Sequence, residues 1–196
     1  MSFLVQIKKA LGALLDVVLG VGRWIGILAV AFMVAAILTQ VFFRYILGNA
    51  LPWPDEAARF CMLWMTGFMA PIAFRNGGFV AIETLPDLFP KRAGYVLSIL
   101  LLSISFAVLT LAVQIGYKEV TGFGGRFATA SLYVPTSLMF DDWYRIPRSW
   151  MMMSVFVGFI LLLVVNIELL LRSLIGILGG KIEDTEDMNS MVGGAE

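Results

Sequence analysis

The residues of this chain most able to do chemistry are charged side chains that flank one hydrophobic segment, residues 57–74. Asp55 and Glu56 precede the segment, Arg59 falls in its first turn, and Arg75 follows it. Carboxylates and guanidinium groups at these positions can form ion pairs, and residues three apart, such as Glu56 and Arg59, share a helix face. No nucleophile, central acid or set of metal ligands accompanies them. The chemistry predicted here is therefore ion pairing and not catalysis.

A network is the sharper of two interpretations of these charges. Arg44 ends the preceding hydrophobic segment and is expected at the depth of Glu56, so we predict an Arg44–Glu56–Arg59 network covered by Trp53. The alternative is an ordinary interfacial cap. In that case Asp55 and Glu56 meet the positive end of the helix dipole, and the bases extend toward water. The residues alone do not decide between the two.

The composition places the chain in a membrane. Of its 196 residues, 60% are hydrophobic and 14% charged, against about 45–50% and about 25% in soluble domains. A net charge of zero argues against nucleic acid as a partner. The absence of histidine excludes bis-histidine haem and most transition-metal sites. The single cysteine, Cys61, has no internal partner, and we predict that it packs as a small apolar side chain. We predict no cofactor, no metal and no enzymatic activity.

The fold class predicted is an all-α membrane protein with four transmembrane helices. Four apolar segments, at about 24–43, 57–74, 94–117 and 149–171, are long enough to cross about 30 Å of hydrocarbon. An even number of spans puts both termini on one side. Basic residues near the span ends are more numerous on the side of the termini, which predicts that both termini are cytoplasmic.

The segments outside the four spans carry further predictions. Apolar residues recur at helical spacing over residues 4–21, which favours an amphipathic helix lying in the membrane interface. The alternative is that this stretch extends the first span. Glycine and proline residues in the 118–148 loop indicate irregular structure or short helices. We assign residues 1–178 to a single transmembrane domain and predict that the acidic tail, 179–196, is disordered.

No span carries a charge near its midpoint, which argues against an ion path within this chain. The polar residues within the spans are typical of helix–helix contacts. They are Ser103, Ser105 and Asn166, with Gln114 nearer the end of the third span. A Gly22-x-x-x-Gly26 match predicts a helix contact at the start of the first span. Only the second span has glycine and proline close together, at Gly67 and Pro71.

At these charged and aromatic positions the chain resembles the small membrane subunit (the Q or DctQ-type subunit) of the tripartite ATP-independent periplasmic (TRAP) transporters. The matching residues are Arg44-Tyr45, Trp53, Glu56, Arg59, Trp64, Arg75-x-Gly77-Gly78 and Glu83. Phe79 stands where family members often have histidine. With Asp55 added, these residues, Tyr45 and Phe79 excepted, form the predicted interface network.

The resemblance implies a function without catalysis. In this family the small subunit has four transmembrane helices and scaffolds a large membrane subunit, which carries the substrate and sodium sites. A periplasmic binding protein delivers the substrate, usually an organic acid. The implied location is the bacterial inner membrane, where the partners are these two proteins and lipids. Two alternatives stay open: a membrane anchor subunit of another inner-membrane complex, and a homo-oligomeric small transporter.

Overall fold

The computed structural model describes residues 2–77, 91–135 and 143–177. Its four long helices are α1 (Ser2–Tyr45), α2 (Trp53–Arg75), α3 (Lys91–Thr121) and α4 (Ser149–Ile177). A 3-10 helix, Phe123–Arg126, and two strands, β1 (Ala128–Pro135) and β2 (Trp143–Pro147), lie between α3 and α4. Each long helix is long and apolar enough to cross a membrane. The prediction of four spans is confirmed.

The boundaries of α2 follow from local sequence. Pro52 occupies the N-cap and Pro54 the first turn, where a missing backbone N–H costs nothing. At the other end Asn76 N donates to Ile72 O at 3.1 Å. The next residue, Gly77, has a φ of 82°, a conformation that glycine adopts without strain. Gly77 therefore ends the helix, which is a structural reason for its presence in the predicted set.

The helices form a layer whose spatial order differs from their order in the chain. α2 packs on α1 at one side and on α4 at the other, and α3 packs on α4. Contact between α1 and α4 is much less extensive. The layer thus runs α1–α2–α4–α3, with α1 and α3 at its edges.

The helix α1 is continuous over 44 residues. At about 1.5 Å per residue it is about 66 Å long, roughly twice the hydrocarbon thickness. The stretch predicted to lie separately in the interface is part of this helix, as the alternative interpretation had it. The reason is packing: Leu15 and Leu19 are buried in a core with Phe74 of α2 and Val165 of α4. Part of this stretch therefore packs on other helices, whereas Leu14 and Val21 of the apolar stripe are exposed.

Glycines on α1 let α2 approach closely. A Cβ at Gly22 would lie 3.0 Å from Phe68 Cδ1, and one at Gly26 would lie 2.5 Å from Met69 Cε. The predicted helix contact at Gly22-x-x-x-Gly26 is confirmed.

A still closer contact joins α2 to α4 and was not predicted. A Cβ at Gly67 would lie 2.5 Å from Ser154 O, and one at Gly158 would lie 3.0 Å from Gly67 O. Pro71 lies inside α2, four residues after Gly67, and has no N–H to donate to the Gly67 carbonyl. The two backbones therefore meet where α2 already lacks one of its own hydrogen bonds.

The described part of the 118–148 loop, residues 118–135 and 143–148, is more regular than predicted. After α3 and the 3-10 helix, β1 and β2 pair antiparallel, with Tyr133 opposite Arg145. Thr129 is buried, and its Oγ1 donates to Ile146 O at 2.7 Å. Among the described residues of the loop, the expectation of short helices holds for the 3-10 helix, and that of irregular structure is wrong for the two strands. The glycines of the loop precede the strands, and β-branched and aromatic residues within the strands favour pairing.

Candidate functional site

The end of the layer that carries the strands, called here the hairpin end, is organised around Glu56. This carboxylate lies in the first turn of α2. Its Oε1 accepts from Ala130 N at 2.9 Å, and its Oε2 accepts from Ser131 N at 2.5 Å. Ser131 Oγ lies 2.6 Å from Glu56 Oε2 and 2.9 Å from Pro52 O. One side chain therefore fastens β1 to the start of α2.

These contacts correct the predicted Arg44–Glu56–Arg59 network. Glu56 is bonded to β1, and no ion pair in the described part of the chain joins it to either arginine. Both arginines are exposed, and Arg44 lies 5.9 Å from the ring centroid of Tyr45.

The register of α1 against α2 explains why Arg44 is out of reach. Asp16 of α1 bonds Arg75 of α2, and Gly22 lies against Phe68, so the two helices run antiparallel. By this register Arg44 lies about nine residues, or about 13 Å, beyond the level of Glu56. No local pattern of residues indicates that α1 continues past the level at which α2 begins.

The neighbours of Glu56 have separate environments. Asp55 is exposed to solvent. Trp53 is 39% exposed and, with Ser131 and Tyr133, lines an open groove of about 670 Å³ between α2 and β1. Trp53 lies beside the Glu56 contacts and not over an arginine network.

The opposite end of the layer holds a second charged cluster, centred on Arg75. Arg75 Nε donates to Glu168 Oε2 at 2.8 Å, and Arg75 Nη2 donates to Glu168 Oε1 at 3.0 Å. This two-bond geometry matches the planar guanidinium to the carboxylate. The Glu168 side chain is only 2% exposed. A buried carboxylate on α4 is thereby neutralised by the last residue of α2.

The same guanidinium also reaches α1. Arg75 Nη1 donates to Asp16 Oδ1 at 2.5 Å, and Nη2 lies 3.4 Å from Gly12 O. Arg172 Nη2 lies 3.8 Å from Glu168 Oε1, one turn further along α4. The cluster of Asp16, Arg75, Glu168 and Arg172 carries two charges of each sign. It joins three helices, and we call it the Arg75 clamp.

No ion pair among the residues of the Arg75 clamp was predicted from the sequence. Arg75 belongs to the predicted set, and Asp16 and Glu168 do not. The sequence does indicate that all three residues lie near the same end of the predicted spans, and charged side chains at such positions usually form ion pairs. Gly78 and Glu83 of the predicted set, and Phe79, lie outside the described residues.

Trp64 belongs to an aromatic row along α2. Its ring stacks on Phe68, with centroids 5.7 Å apart, and lies 6.2 Å from Phe60. It also lines an apolar groove of about 420 Å³ between α1, α2 and the start of α4, in which buried Cys61 takes part. Trp64 is therefore a packing residue of the layer.

Together these contacts hold helices and a hairpin in place. Over the residues that the structure describes, no group of three or more histidine, cysteine, aspartate or glutamate residues could hold a metal ion. The two charged clusters lie toward opposite ends of a layer of four helices that are apolar enough to cross a membrane. Fold and site thus define a multi-pass helical membrane protein.

Comparison with known families narrows that class. Residues 33–176 match the model of the DctQ component of tripartite ATP-independent periplasmic transporters. The match covers most of the chain, so the chain belongs to the DctQ family and is a transporter component, as the resemblance indicated. No curated protein matches it.

Proposed function

We propose that this chain is the small inner-membrane subunit that scaffolds the large membrane subunit of a TRAP transporter. In this role it takes part in sodium-coupled, binding-protein-dependent uptake of an organic acid. The observation that carries the proposal is the family match over residues 33–176. A subunit of this kind needs no reaction centre of its own.

The layer is suited to a fixed role. The Arg75 clamp ties α1, α2 and α4 together at one end, and Glu56 ties α2 to β1 at the other. The glycine contact between Gly67 and Gly158 lies between the two ends. A layer fixed at three levels would give a moving partner a rigid surface to work against.

We further propose that the Arg75 clamp faces the cytoplasm and the hairpin end faces the periplasm. This orientation follows from the distribution of basic residues in the sequence. It would place β1, β2 and the Trp53 groove on the side from which a periplasmic binding protein arrives.

The test is reconstitution. The chain, the large membrane subunit and the binding protein from one operon are purified and placed in liposomes with an inward sodium gradient. Uptake of a labelled organic acid is expected only when all three proteins and the gradient are present. The chain should also co-purify with the large subunit.

The alternatives give different results in the same assay. Flux through the chain alone would identify a homo-oligomeric transporter. Co-purification with a redox enzyme and no large transport subunit would identify an anchor. Uptake at the full rate without the chain would contradict the proposal.

A further inference from the structure

Gln114 of α3 lies within the membrane-spanning part of the chain, which here is residues Val96–Thr121. It is seven residues from the end of α3, or about 10 Å at 1.5 Å per residue. Two residues further on, a Cβ at Gly116 would lie 3.2 Å from Phe156 of α4. The side chain of Gln114 itself is exposed on the outer side of the helix.

Gln114 differs from four hydroxyl groups of the spans that are exposed or half-buried. Each of these hydroxyls donates to the carbonyl four residues earlier in its own helix, which satisfies it without a partner. They are Thr39 to Ala35 O, Thr66 to Met62 O, Ser103 to Ile99 O and Thr110 to Phe106 O. The Gln114 carboxamide makes no such bond with the described residues.

The position of this carboxamide inside the candidate span limits its access to water. Side chains on a helix lean toward its N-terminus, so Gln114 leans away from the nearer end of α3 and deeper into the membrane. An amide that meets only lipid tails loses several kcal/mol of hydration. A hydrogen-bonding partner from another polypeptide removes that loss.

The face around Gln114 is shaped for a helix. Ser103, Ala107 and Gln114 follow each other at spacings of four and seven, which keeps them within about 40° on the helix surface. All three are exposed, and small residues let a second helix approach closely. α3 is at the edge of the layer, and its extensive contacts are with α4.

We infer that this face of α3 is the docking surface for the large membrane subunit, one of whose helices supplies a polar side chain to the Gln114 carboxamide. The inference rests on the proposed function. The family is one component of a multi-component transporter, which favours a different membrane protein over a second copy of the chain.

Photo-crosslinking in the intact complex tests the location. A benzophenone amino acid replaces Gln114, and in a matched variant it replaces Leu28, which is 66% exposed on α1. Illumination is expected to join the chain to the large subunit from position 114 and not from position 28. Adducts with a second copy, with lipid alone, or with the large subunit only from position 28 would overturn the inference. If the unmodified chain captures no large subunit, the proposed function fails first.

A second variant tests the hydrogen bond. Gln114→Met keeps the length of the side chain and removes its polar groups. We expect it to weaken assembly with the large subunit about threefold to tenfold, while Leu111→Met on the same helix leaves assembly unchanged. Thermal unfolding of the isolated variants separates assembly from folding. Assembly of Gln114→Met at the affinity of the unmodified chain would overturn the bond.

Discussion

Arg75 and Glu168 are joined by two nitrogen–oxygen hydrogen bonds, of 2.8 and 3.0 Å, although 93 residues separate them in the chain. Breaking such a pair leaves a buried charge without compensation. We therefore expect Arg75→Met to lower the free energy of unfolding by about 3 kcal/mol. Thermal or denaturant unfolding in detergent measures this.

A double variant separates the pair from its surroundings. In Arg75→Met with Glu168→Met both charges are gone, so the loss should be smaller than in Arg75→Met alone. Asp16→Asn should cost less than Arg75→Met, because the Asp16 side chain is 67% exposed. Equal losses in the free energy of unfolding for Arg75→Met and for the double variant would show that Arg75 does not act through Glu168.

Glu56 should control the attachment of β1. Glu56→Gln keeps the shape of the side chain but replaces one acceptor oxygen with an N–H₂ group that faces donors. We expect faster hydrogen exchange at the amides of Ala130 and Ser131, and a loss of about 1–3 kcal/mol. Asp55→Asn is the matched control, because its carboxylate is the exposed neighbour. Unchanged exchange in Glu56→Gln would contradict the assignment.

The backbone contact of α2 with α4 should not tolerate side chains. Gly158→Val brings atoms to within about 3 Å of the Gly67 carbonyl and should cost about 1–3 kcal/mol. Gly20→Val is the control, because nothing lies within 4 Å of a Cβ there. A melting temperature for Gly158→Val that equals the control's would mean that the helices cross elsewhere.

Arg44 and Arg59 were predicted to pair with Glu56 and do not, so they should contribute little to the stability of the fold. Arg44→Ala and Arg59→Ala are expected to change the stability of the isolated chain by no more than about 0.5 kcal/mol, as exposed side chains usually do. A loss of transport in either variant, with stability unchanged, would then assign that arginine to contact with another subunit. A large loss of stability would instead support the predicted Arg44–Glu56–Arg59 network.

The sequence was sufficient for elements whose signal is local. Apolar runs predicted all four spanning helices, and Gly22 and Gly26 predicted a helix contact, which the structure forms with α2. The register between helices is not local, which is why Arg44 was placed beside Glu56. The partners of Glu56 are backbone amides of Ala130 and Ser131, which no side-chain pattern indicates. Asp16, Arg75 and Glu168 are far apart in the chain and meet only through the packing of three helices.

The order of the layer, α1–α2–α4–α3, has a consequence for biosynthesis. α3 leaves the ribosome before α4, yet α4 is the helix on which it packs. A newly inserted α3 therefore waits in lipid until α4 has been made through Ile177, about 56 residues after the end of α3. The arrival of α4 also brings Glu168 to Arg75, so the last span completes both the edge and the centre of the protein.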